Sequence, residues 1–438
     1  MMERQEALAL RREYFMPCAQ HFYKDPPLFV RGDMQYLYDE RGKKYLDFFA
    51  GVSVMNCGHS NPFIIERVAA QLGKLQHLTN VYLTGPVLRL AERLAQVMPG
   101  RPALPGTAPY GSSGLVSSFF CNSGSEANEG ALLLARLVTG KRKFIALNGG
   151  LHGRTYLTQA ATGIPMWRAD PFLPSDVYFA GNAADVIAAL EKDRNIAAFI
   201  CEPIQGNGGI RPVPPDFFKE IAGPLNAHGA LLIVDEIQSG FARTGKMFAI
   251  EHYGVVPDIM TMSKALGNGI PIAAFASSKE IALQFTRPSA STLGGNPVSA
   301  CAALAVLDYI EQECLCAKAE ENGAYLRARL DTLAAKFPVI KEVRGKGLML
   351  GAELAFDGGD PDGGGPTDAG SVDDSARLTD RILEELKERG IILGKNGLGR
   401  NVLAFQPPLV INRGDIDFLI GNLEDTLENI LERDVLQR

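Results

Sequence analysis

The sequence predicts an α/β protein with a large domain built on a mostly parallel central sheet, accompanied by a smaller α+β domain. Two patterns favour this class. Through the middle of the chain, short and nearly continuous apolar runs alternate with helical patterns, as expected for strands covered on both faces. After about residue 305 the alternation stops, and long helical patterns flank a few strands. The length of 438 residues is also too great for one ordinary domain.

The predicted elements of the first two thirds begin with a hairpin pattern at Gln35–Asp47, inside an N-terminal segment of residues 1–55. Residues 56–305 form the predicted large domain, with helices such as Ala183–Lys192 and Pro215–Ala227 between its strands. The predicted strands are Ser117–Cys121, Lys143–Leu147, Ala197–Cys201, Ala230–Val234, Ile259–Met262 and Ile272–Ala276.

Residues 306–438 form the predicted small domain, which we expect residues 1–55 to join. Its predicted helices are Gln312–Phe337 and Ser375–Arg389, which flank the segment Val343–Glu353, and the segment Val402–Ile411 follows. Between them, Asp357–Gly370 is rich in Gly, Asp and Pro and is predicted to be an exposed loop.

Composition excludes several classes of protein. Fifty acidic residues against 44 basic ones give a net charge of −6, which argues against a broad nucleic-acid surface. No apolar stretch approaches the ~20 residues that a membrane-spanning helix needs. The seven cysteines are scattered without a CxxC pair, so neither disulfides nor a metal site is indicated. We therefore expect a cytoplasmic protein that binds no nucleic acid, membrane or metal.

The segment Phe119–Asn128 joins a predicted strand to a helix and is the first candidate for chemistry. Ser123 and Glu126 have the spacing of a capping box. Gly124 permits close approach of a ligand, so the amides of Gly124 and Ser125 are suited to bind a phosphate at the positive helix end. A helix that is only well capped explains the same residues, and this segment alone leaves both interpretations open.

Two further segments place a charged residue at the end of a strand. The strand Ala230–Val234 is followed by Asp235, where ligands of open α/β sheets collect, although a helix cap or an ion pair is the plainer interpretation. Lys264 follows the strand Ile259–Met262 and precedes a Gly-rich turn. A partly desolvated amine there can form a Schiff base with a carbonyl, whereas most lysines are solvated surface residues.

A fourth pattern, Gly240–Lys246, fits the GxxxxGK opening of a P-loop. The next residue is Met247 instead of the Ser or Thr that coordinates Mg²⁺, and no second nucleotide motif supports it. By contrast, a phosphate cradle, a buried acid and a Schiff-base lysine at strand ends are together what pyridoxal 5′-phosphate requires. The combination predicts a site for that cofactor.

At this point the sequence resembles the class III (ω-)aminotransferases, a family of fold-type-I pyridoxal-phosphate enzymes. The resemblance runs from about residue 25 to the C-terminus. The matching segments are Tyr45–Gly51, Gly58–Pro62, Asn122–Glu129, His152–Thr155, Glu202–Gly206, Asp235–Gly245, Ser263–Gly269 and Ser291–Pro297.

The resemblance implies a role for each residue of the cofactor site. Lys264 is the Schiff-base lysine, which also moves the proton between the substrate Cα and cofactor C4′. Asp235 pairs with the pyridine nitrogen and Gln238 with the ring hydroxyl, and Glu202 lies near the ring. The phosphate is bound by the Gly124 and Ser125 amides. The remaining cofactor-binding residues implied are Ser123, Leu151, His152 and Thr292.

Thr292 resembles a residue that reaches the phosphate of the neighbouring subunit, which implies a homodimer with active sites at its interface. Arg154 resembles the residue that binds the substrate carboxylate remote from the reacting amine, with a structural ion pair as the alternative. Tyr82 lines the pocket or is a core aromatic residue; the sequence leaves both open.

Three positions depart from the family pattern. Leu151 stands where relatives carry a Tyr or Phe that stacks on the cofactor ring. Asn207 and Ala404 stand where users of 2-oxoglutarate carry a gating Glu and a carboxylate-binding Arg. Loss of that Arg removes a bidentate pair, and Arg211, Arg400 and Arg413 are the candidates to replace it.

The expected function is a ping-pong aminotransferase that moves an amino group from an ω- or β-amino acid, or an amine, to a keto acid such as pyruvate. A racemase, epimerase or lyase of the same family shares these residues and remains an alternative. A noncatalytic cofactor-binding module is the alternative from another class, and retention of Lys264, Asp235 and Thr292 argues against it.

Overall fold

The structure is a computed structural model that describes residues 2–100, 114–355 and 374–436. The predicted loop Asp357–Gly370 lies outside the described residues. The strands are β1 Phe29–Asp33, β2 Tyr36–Asp39, β3 Lys44–Asp47, β4 Ser117–Cys121, β5 Lys143–Leu147, β6 Val177–Ala180, β7 Ile196–Cys201, β8 Ile204–Gln205, β9 Arg211–Pro212, β10 Leu231–Asp235, β11 Ile259–Met262, β12 Ala273–Ser277, β13 Ile340–Lys346, β14 Met349–Leu354, β15 Ile391–Ile392, β16 Gly394–Asn396 and β17 Val402–Phe405.

The helices cover both faces of the sheets. They are α1 Arg4–Tyr14, the short turn α2 Ala50–Ser53, α3 Pro62–Leu72, α4 Gly85–Val97, α5 Gly124–Thr139, α6 Tyr156–Ala160, α7 Ala183–Lys192, α8 Phe217–His228, α9 Lys279–Ala282, α10 Pro297–Gln312, α11 Leu315–Lys336, α12 Asp374–Glu388 and α13 Arg413–Leu436. Short 3₁₀ turns occur at Pro165–Trp167, Ala249–Tyr253 and Lys264–Leu266.

The central sheet has seven strands in the order β4-β12-β11-β10-β7-β5-β6. Only β12 runs antiparallel to its neighbours, so the predicted mostly parallel α/β sheet is confirmed. The central strands β7, β11 and β12 are buried along their whole length, which explains why their sequences are continuous apolar runs. Parallel strands end at the same edge, and this edge carries the candidate site.

The N-terminal strands pair with the C-terminal third of the chain. The hairpin β2–β3 was predicted, and β3 continues the sheet by pairing in parallel with β15. A second four-stranded sheet, in the order β13-β14-β17-β16, packs against α11 through its strands β13 and β14. Within the segment Val402–Ile411, β17 ends at Phe405, and Pro407 and Pro408 follow it.

The turn α2 has a left-handed backbone, because Ala50, Gly51, Val52 and Ser53 all have positive φ. Non-glycine residues adopt this conformation at a cost of roughly 1–2 kcal/mol each, so neighbouring contacts have to hold it. Asp47 Oδ1 accepts hydrogen bonds from the amides of Phe49 and Ala50 at 2.8 and 2.9 Å.

All seven cysteines are free thiols. Among the helices of the described residues, none has the length and apolar character to cross a membrane.

Candidate active site

The carboxyl ends of the central strands bring the predicted site residues together. Asp235 is the last residue of β10, and it pairs in register with Thr261 of β11, three residues before Lys264. Glu202 directly follows β7, which is the neighbour of β10 on its other side. The predicted convergence of Asp235 and Lys264 at one sheet edge is therefore what the strand order produces.

The carboxylate of Asp235 is buried and fixed by three hydrogen bonds. Oδ2 accepts from Nδ1 of His152 at 2.8 Å and from the side-chain amide of Asn128 at 2.7 Å. Oδ1 accepts from the backbone amide of Ile237 at 3.1 Å. Thr261 in turn donates to the side-chain oxygen of Asn128 at 2.7 Å, which orients that amide. The negative charge is thus held in one orientation.

Sequence reasoning missed Asn128 and Thr261. Both side chains are fully buried. The signal for Asn128 was its position one residue after Ala127 on the buried face of α5, where an asparagine needs a partner.

Lys264 lies in a 3₁₀ turn directly after β11, with φ at +45°. Burial lowers the pKa of its amine, and the nearby carboxylates of Asp235 and Glu202 partly oppose that shift. Burial disfavours the charged ammonium, so a larger fraction of the amine is neutral and able to accept a proton. Among the described residues, its Nζ has no hydrogen bond or ion pair.

The carboxylate of Glu202 is also buried, and it orders the backbone around it. Oε1 accepts from the amide of Leu151 at 2.9 Å, and Oε2 accepts from the amide of Gly206 at 3.0 Å. Burial, reinforced by the charge of Asp235, raises its pKa above the usual range, while His152 and the two amides oppose this. Glu202 thereby connects the segment of Leu151 and His152 to the loop that follows β8.

The N-terminus of α5 is capped as the sequence predicted. Ser123 Oγ accepts from the amide of Glu126, and the Glu126 carboxylate accepts from the amides of Ser123 and Asn122. Within the described chain this leaves the amides of Gly124 and Ser125 without partners at the positive helix end, the arrangement that binds a phosphate.

Close packing requires glycine at two positions near this helix end. A Cβ on Gly124 would lie 2.8 Å from Ile237 Cδ1, so this glycine lets α5 pack against the segment after Asp235. Gly153, with φ at +143°, lies against the hydroxyl of Ser125, which accepts a hydrogen bond from the amide of Arg154 at 3.1 Å. The phosphate end and the His152–Thr155 segment are therefore adjacent.

Buried polar atoms without partners test whether the site fits pyridoxal phosphate. Among the described residues, Nε2 of His152 and both amide atoms of Gln238 are buried and form no hydrogen bond. Gln238 lies so close to Gly206 that a Cβ there would be 1.6 Å from Gln238 Oε1. Such atoms call for a polar ligand. A ligand with a phosphate, a ring nitrogen, a ring hydroxyl and a carbonyl suits the free amides, Asp235, Gln238 and Lys264.

The other predicted site residues occupy less enclosed positions. Leu151 is half-buried and Arg154 is exposed, and within the described residues the Arg154 guanidinium forms no ion pair. Thr292 is exposed, whereas its neighbour Ser291 accepts a hydrogen bond from Asn122 at 3.1 Å. The alternative that Tyr82 is a core aromatic residue is wrong, because its side chain is 64% exposed.

Asn207 and Ala404 lie on two segments that touch. Ala404 is fully buried among Ile204, Ile210 and Met349, so its strand faces the loop that contains Asn207. The carbonyl of Asn207 accepts a hydrogen bond from the amide of Gly397 at 3.0 Å.

Of the arginines considered as replacements, two are engaged elsewhere. Arg211 forms an ion pair with Glu353 at 2.7 Å, and Arg413 lies over the ring of Tyr325. Arg400 lies over the ring of Phe22, with 5.8 Å between its guanidinium carbon and the ring centroid.

The P-loop-like segment is not a nucleotide cradle. Phe241, Ala242 and Arg243 are completely buried, and Arg243 donates to the carbonyls of Leu348 and Pro407. A 3₁₀ turn, Ala249–Tyr253, follows where a P-loop would begin a helix.

The fold and the site define a pyridoxal-phosphate-dependent α/β enzyme. The family model of the class-III aminotransferases matches residues 22–427, and the chain belongs to this family. It is an aminotransferase that depends on pyridoxal phosphate, so the noncatalytic module is set aside.

The chain is 38% identical to a protein of Arabidopsis thaliana called alanine–glyoxylate aminotransferase 2 homolog 2, mitochondrial, over 97% of this chain and 87% of the relative. It is 36% identical to the acetylornithine aminotransferase of Methanocaldococcus jannaschii, over 98% of this chain and 100% of the relative. Among solved structures, a phospholyase from Arthrobacter in complex with phosphoethanolamine is 32% identical with a TM-score of 0.81, covering 96% of this chain and 99% of that one.

Proposed function

We propose that this aminotransferase takes the amino group of an ω- or β-amino acid, or of an amine, and passes it to a small keto acid, with pyruvate as the acceptor. One observation carries the catalytic part. The partnerless, desolvated amine of Lys264 lies at the same sheet edge as the fixed carboxylate of Asp235 and the free amides of α5.

Bound pyridoxal phosphate supplies an electron sink that stabilises negative charge at the substrate Cα. Asp235 would hold a proton at the ring nitrogen, in an orientation set by His152 and Asn128. Gln238 would bind the ring hydroxyl, and the amides of Gly124 and Ser125 would bind the phosphate. Lys264 would move the proton between Cα of the amine and C4′ of the cofactor, which requires the neutral amine that burial favours.

Support for an ω-amino donor comes from Arg154. Its exposed guanidinium forms no ion pair within the described residues, and its backbone amide is held by Ser125 beside the phosphate end. A guanidinium binds a carboxylate through two parallel hydrogen bonds, so a donor with a carboxylate remote from its amine suits it. The relative from Methanocaldococcus jannaschii, named for acetylornithine, is consistent with such a donor.

Support for a small acceptor comes from Ala404. A keto diacid brings two carboxylates that both need polar partners, and the position that carries a carboxylate-binding Arg in users of 2-oxoglutarate is here an apolar, fully buried methyl group. The Arabidopsis relative is named for alanine, and removal of the amino group of alanine gives pyruvate.

The proposal is tested by replacing Lys264. The Lys264→Ala protein should bind pyridoxal phosphate without a covalent bond, which removes the reversible protein-bound chromophore, and should show no turnover with any amine and pyruvate. Lys246→Ala, in an exposed lysine of the P-loop-like segment, is the matched control and should keep full activity. Transamination at the wild-type rate by Lys264→Ala would contradict the assignment.

A lyase or racemase is the second candidate, favoured by the similarity to the Arthrobacter phospholyase. The two reactions separate when the pure enzyme is mixed with a single amine and no keto acid. An aminotransferase stops after one half-reaction per site, whereas a lyase or racemase continues to turn over. Phosphoethanolamine is the first lyase substrate to include, and continued release of phosphate would replace the proposal.

We propose further that the enzyme is a homodimer in which Thr292 serves the partner's phosphate site. Within the described residues the Thr292 side chain has no hydrogen bond, and it is exposed next to Leu293, which is 56% exposed. Exposed apolar residues beside a polar group of this kind suit a surface that a second copy covers.

Mixed dimers test this arrangement. Lys264→Ala and Thr292→Asp are each expected to be inactive alone, the second because a carboxylate repels the phosphate. Co-expression should restore about a quarter of wild-type activity, since half of the dimers are hybrids and each hybrid has one intact site. If Thr292 served its own chain, both sites of the hybrid would be damaged and no activity would return.

The free state of all seven cysteines supports a cytoplasmic location as part of the same proposal.

A further inference from the structure

Gln406 carries a buried amide for which the described residues provide no partner. Its side chain is completely buried, and among these residues neither Oε1 nor Nε2 forms a hydrogen bond. The backbone amide of Gln406 donates to the carbonyl of Phe48 at 2.8 Å. A buried amide without partners destabilises a fold, so a stable protein retains one where a ligand binds it.

The direction of Gln406 follows from the alternation along β17. Leu403 and Phe405 belong to the main hydrophobic core, whereas Ala404 packs with Ile204, Ile210 and Met349 on the opposite face. The side chain of Val402 lies on that opposite face too, against Gly209 and Gly397. Two residues after Ala404, the side chain of Gln406 is therefore expected on the face that looks toward the 204–210 loop.

This face borders the candidate active site. Gly206, in the 204–210 loop, contacts Gln238 and donates its amide to Glu202. On the other side, Phe48 leads into the left-handed turn Ala50–Ser53, and Met55 beyond it lies against Gly269 in the loop after Lys264. Through its backbone bond to Phe48, Gln406 lies at the end of β17 beside the segment that leads to Met55.

Gln406 is also close in sequence to position 404, where this chain lacks the cation of users of 2-oxoglutarate. Position 404 carries Arg in users of 2-oxoglutarate, and two residues of a strand span about 6.6 Å, a distance that a side chain from position 406 can bridge. A primary amide offers N–H donors to a carboxylate without placing a charge in the apolar surroundings of Ala404. It provides a weaker and less bidentate contact than a guanidinium.

We propose that Nε2 of Gln406 donates a hydrogen bond to the carboxylate of the small keto acid and of the amino acid formed from it, in place of the guanidinium absent at position 404. The inference rests on the proposed function and adds the residue that binds the carboxylate of the acceptor. It accounts for a buried amide that no described residue satisfies.

The test compares Gln406→Leu with Thr426→Val in the holoenzyme. Thr426, in α13, is also completely buried, its hydroxyl has no partner among the residues that the structure describes, and it is the matched control. Gln406→Leu should raise KM for pyruvate about 5- to 20-fold while leaving KM for acetaldehyde, which has no carboxylate, unchanged. Its thermal midpoint should equal or exceed that of the wild type, because an unsatisfied amide has been removed. Thr426→Val should leave both KM values unchanged.

A binding experiment tests this inference separately from the proposed function. Propionate, a nonreacting carboxylate, should raise the thermal midpoint of wild-type holoenzyme and of Thr426→Val but not of Gln406→Leu. If the wild type fails to transaminate pyruvate, the proposed acceptor is wrong, and the propionate result alone decides the role of Gln406. An unchanged propionate shift in Gln406→Leu, or a lowered midpoint with equal losses for pyruvate and acetaldehyde, overturns the inference in favour of a structural role.

Discussion

Nδ1 of His152 donates to Oδ2 of Asp235 at 2.8 Å, and the opposite ring nitrogen of His152 is buried without a partner in the described part of the chain. The same carboxylate oxygen accepts from Asn128. Both donors fix the orientation of the Asp235 carboxylate, which would hold a proton at the cofactor's ring nitrogen. The His152–Asp235 hydrogen bond therefore gives the carboxylate, which acts electrostatically on the ring nitrogen, a fixed orientation.

Replacement of Asp235 by Asn should separate the effect of the carboxylate charge from the effect of the side chain's position. We expect Asp235→Asn to retain bound cofactor and to lose about 10²- to 10³-fold in kcat/KM, the usual effect of removing one preorganised electrostatic contact. Steady-state kinetics and cofactor absorbance measure the two quantities. Asp258→Asn is the control, since Asp258 also accepts a backbone amide, from Leu232 at 2.8 Å, and should stay within about twofold of wild type. Retention of wild-type activity by Asp235→Asn would exclude the proposed role.

The burial of the next residue, Glu236, predicts that the stability of the folded protein depends on pH. It is completely buried, its carboxylate accepts from Ser239 and Ile250, and burial raises its pKa to about 7. A raised folded-state pKa contributes stability that is complete below the unfolded value and is lost as pH rises through 7. The loss amounts to about 3 kcal/mol by pH 8.

Glu236→Gln should remove that loss. Its thermal midpoint should match the wild type near pH 4.5 and exceed it at pH 8, as measured by calorimetry across this range. Glu220→Gln, which changes an exposed residue on α8, should follow the wild type at every pH. A constant difference between Glu236→Gln and wild type would show that the carboxyl does not titrate in this window.

Replacement of Leu151 by an aromatic residue is expected to raise the affinity for the cofactor. Its amide is anchored by Glu202, so the backbone is placed while the half-buried side chain offers only an aliphatic contact. We expect Leu151→Phe to bind pyridoxal phosphate roughly 2- to 10-fold more tightly, since an aromatic pair adds about 0.5–1.5 kcal/mol beyond buried area. Titration of apoenzyme followed by fluorescence measures the dissociation constant. Leu151→Ala should move it the other way, and an equal affinity for Phe and Leu would place the side chain away from the ring.

Local patterns predicted much of this molecule. The strands β4, β5 and β11 and the helix α7 have the predicted bounds, and the Ser123–Glu126 capping box forms. Each depends on a continuous run of residues or a fixed spacing. The strand β6 was missed, and β15, with two residues, is too short to show any periodicity.

What the sequence did not reveal depends on contacts between distant segments. The Asn128–Asp235 bond joins residues 107 positions apart, and the buried Gln406 donates its backbone amide to Phe48 in the N-terminal segment. The left-handed turn at Ala50–Ser53 has no local signal apart from Gly51, because its other three residues disfavour positive φ.

The relation between Asn207 and Ala404 supports a final prediction, on acceptor choice. Ala404→Arg alone places an unpaired charge among Ile204, Ile210 and Met349, which should destabilise the protein by about 3–5 kcal/mol. Asn207→Glu alone changes a half-buried loop residue and should cost little. Together the two substitutions create an ion pair across the touching segments. The double variant should therefore be more stable than Ala404→Arg, with a coupling energy of about 0.5–3 kcal/mol.

The same double variant should shift the ratio of kcat/KM for 2-oxoglutarate over pyruvate upward by at least about tenfold, since a guanidinium then offers a two-donor contact to a carboxylate of the diacid. Coupled assays with each acceptor and a common donor measure the ratio. Asn207→Gln/Ala404→Met, similar in volume but uncharged, controls for the altered packing and should leave the ratio near the wild-type value. If the uncharged pair shifts the ratio equally, acceptor choice depends on the shape of this pocket, and the missing charge at position 404 is not what excludes 2-oxoglutarate.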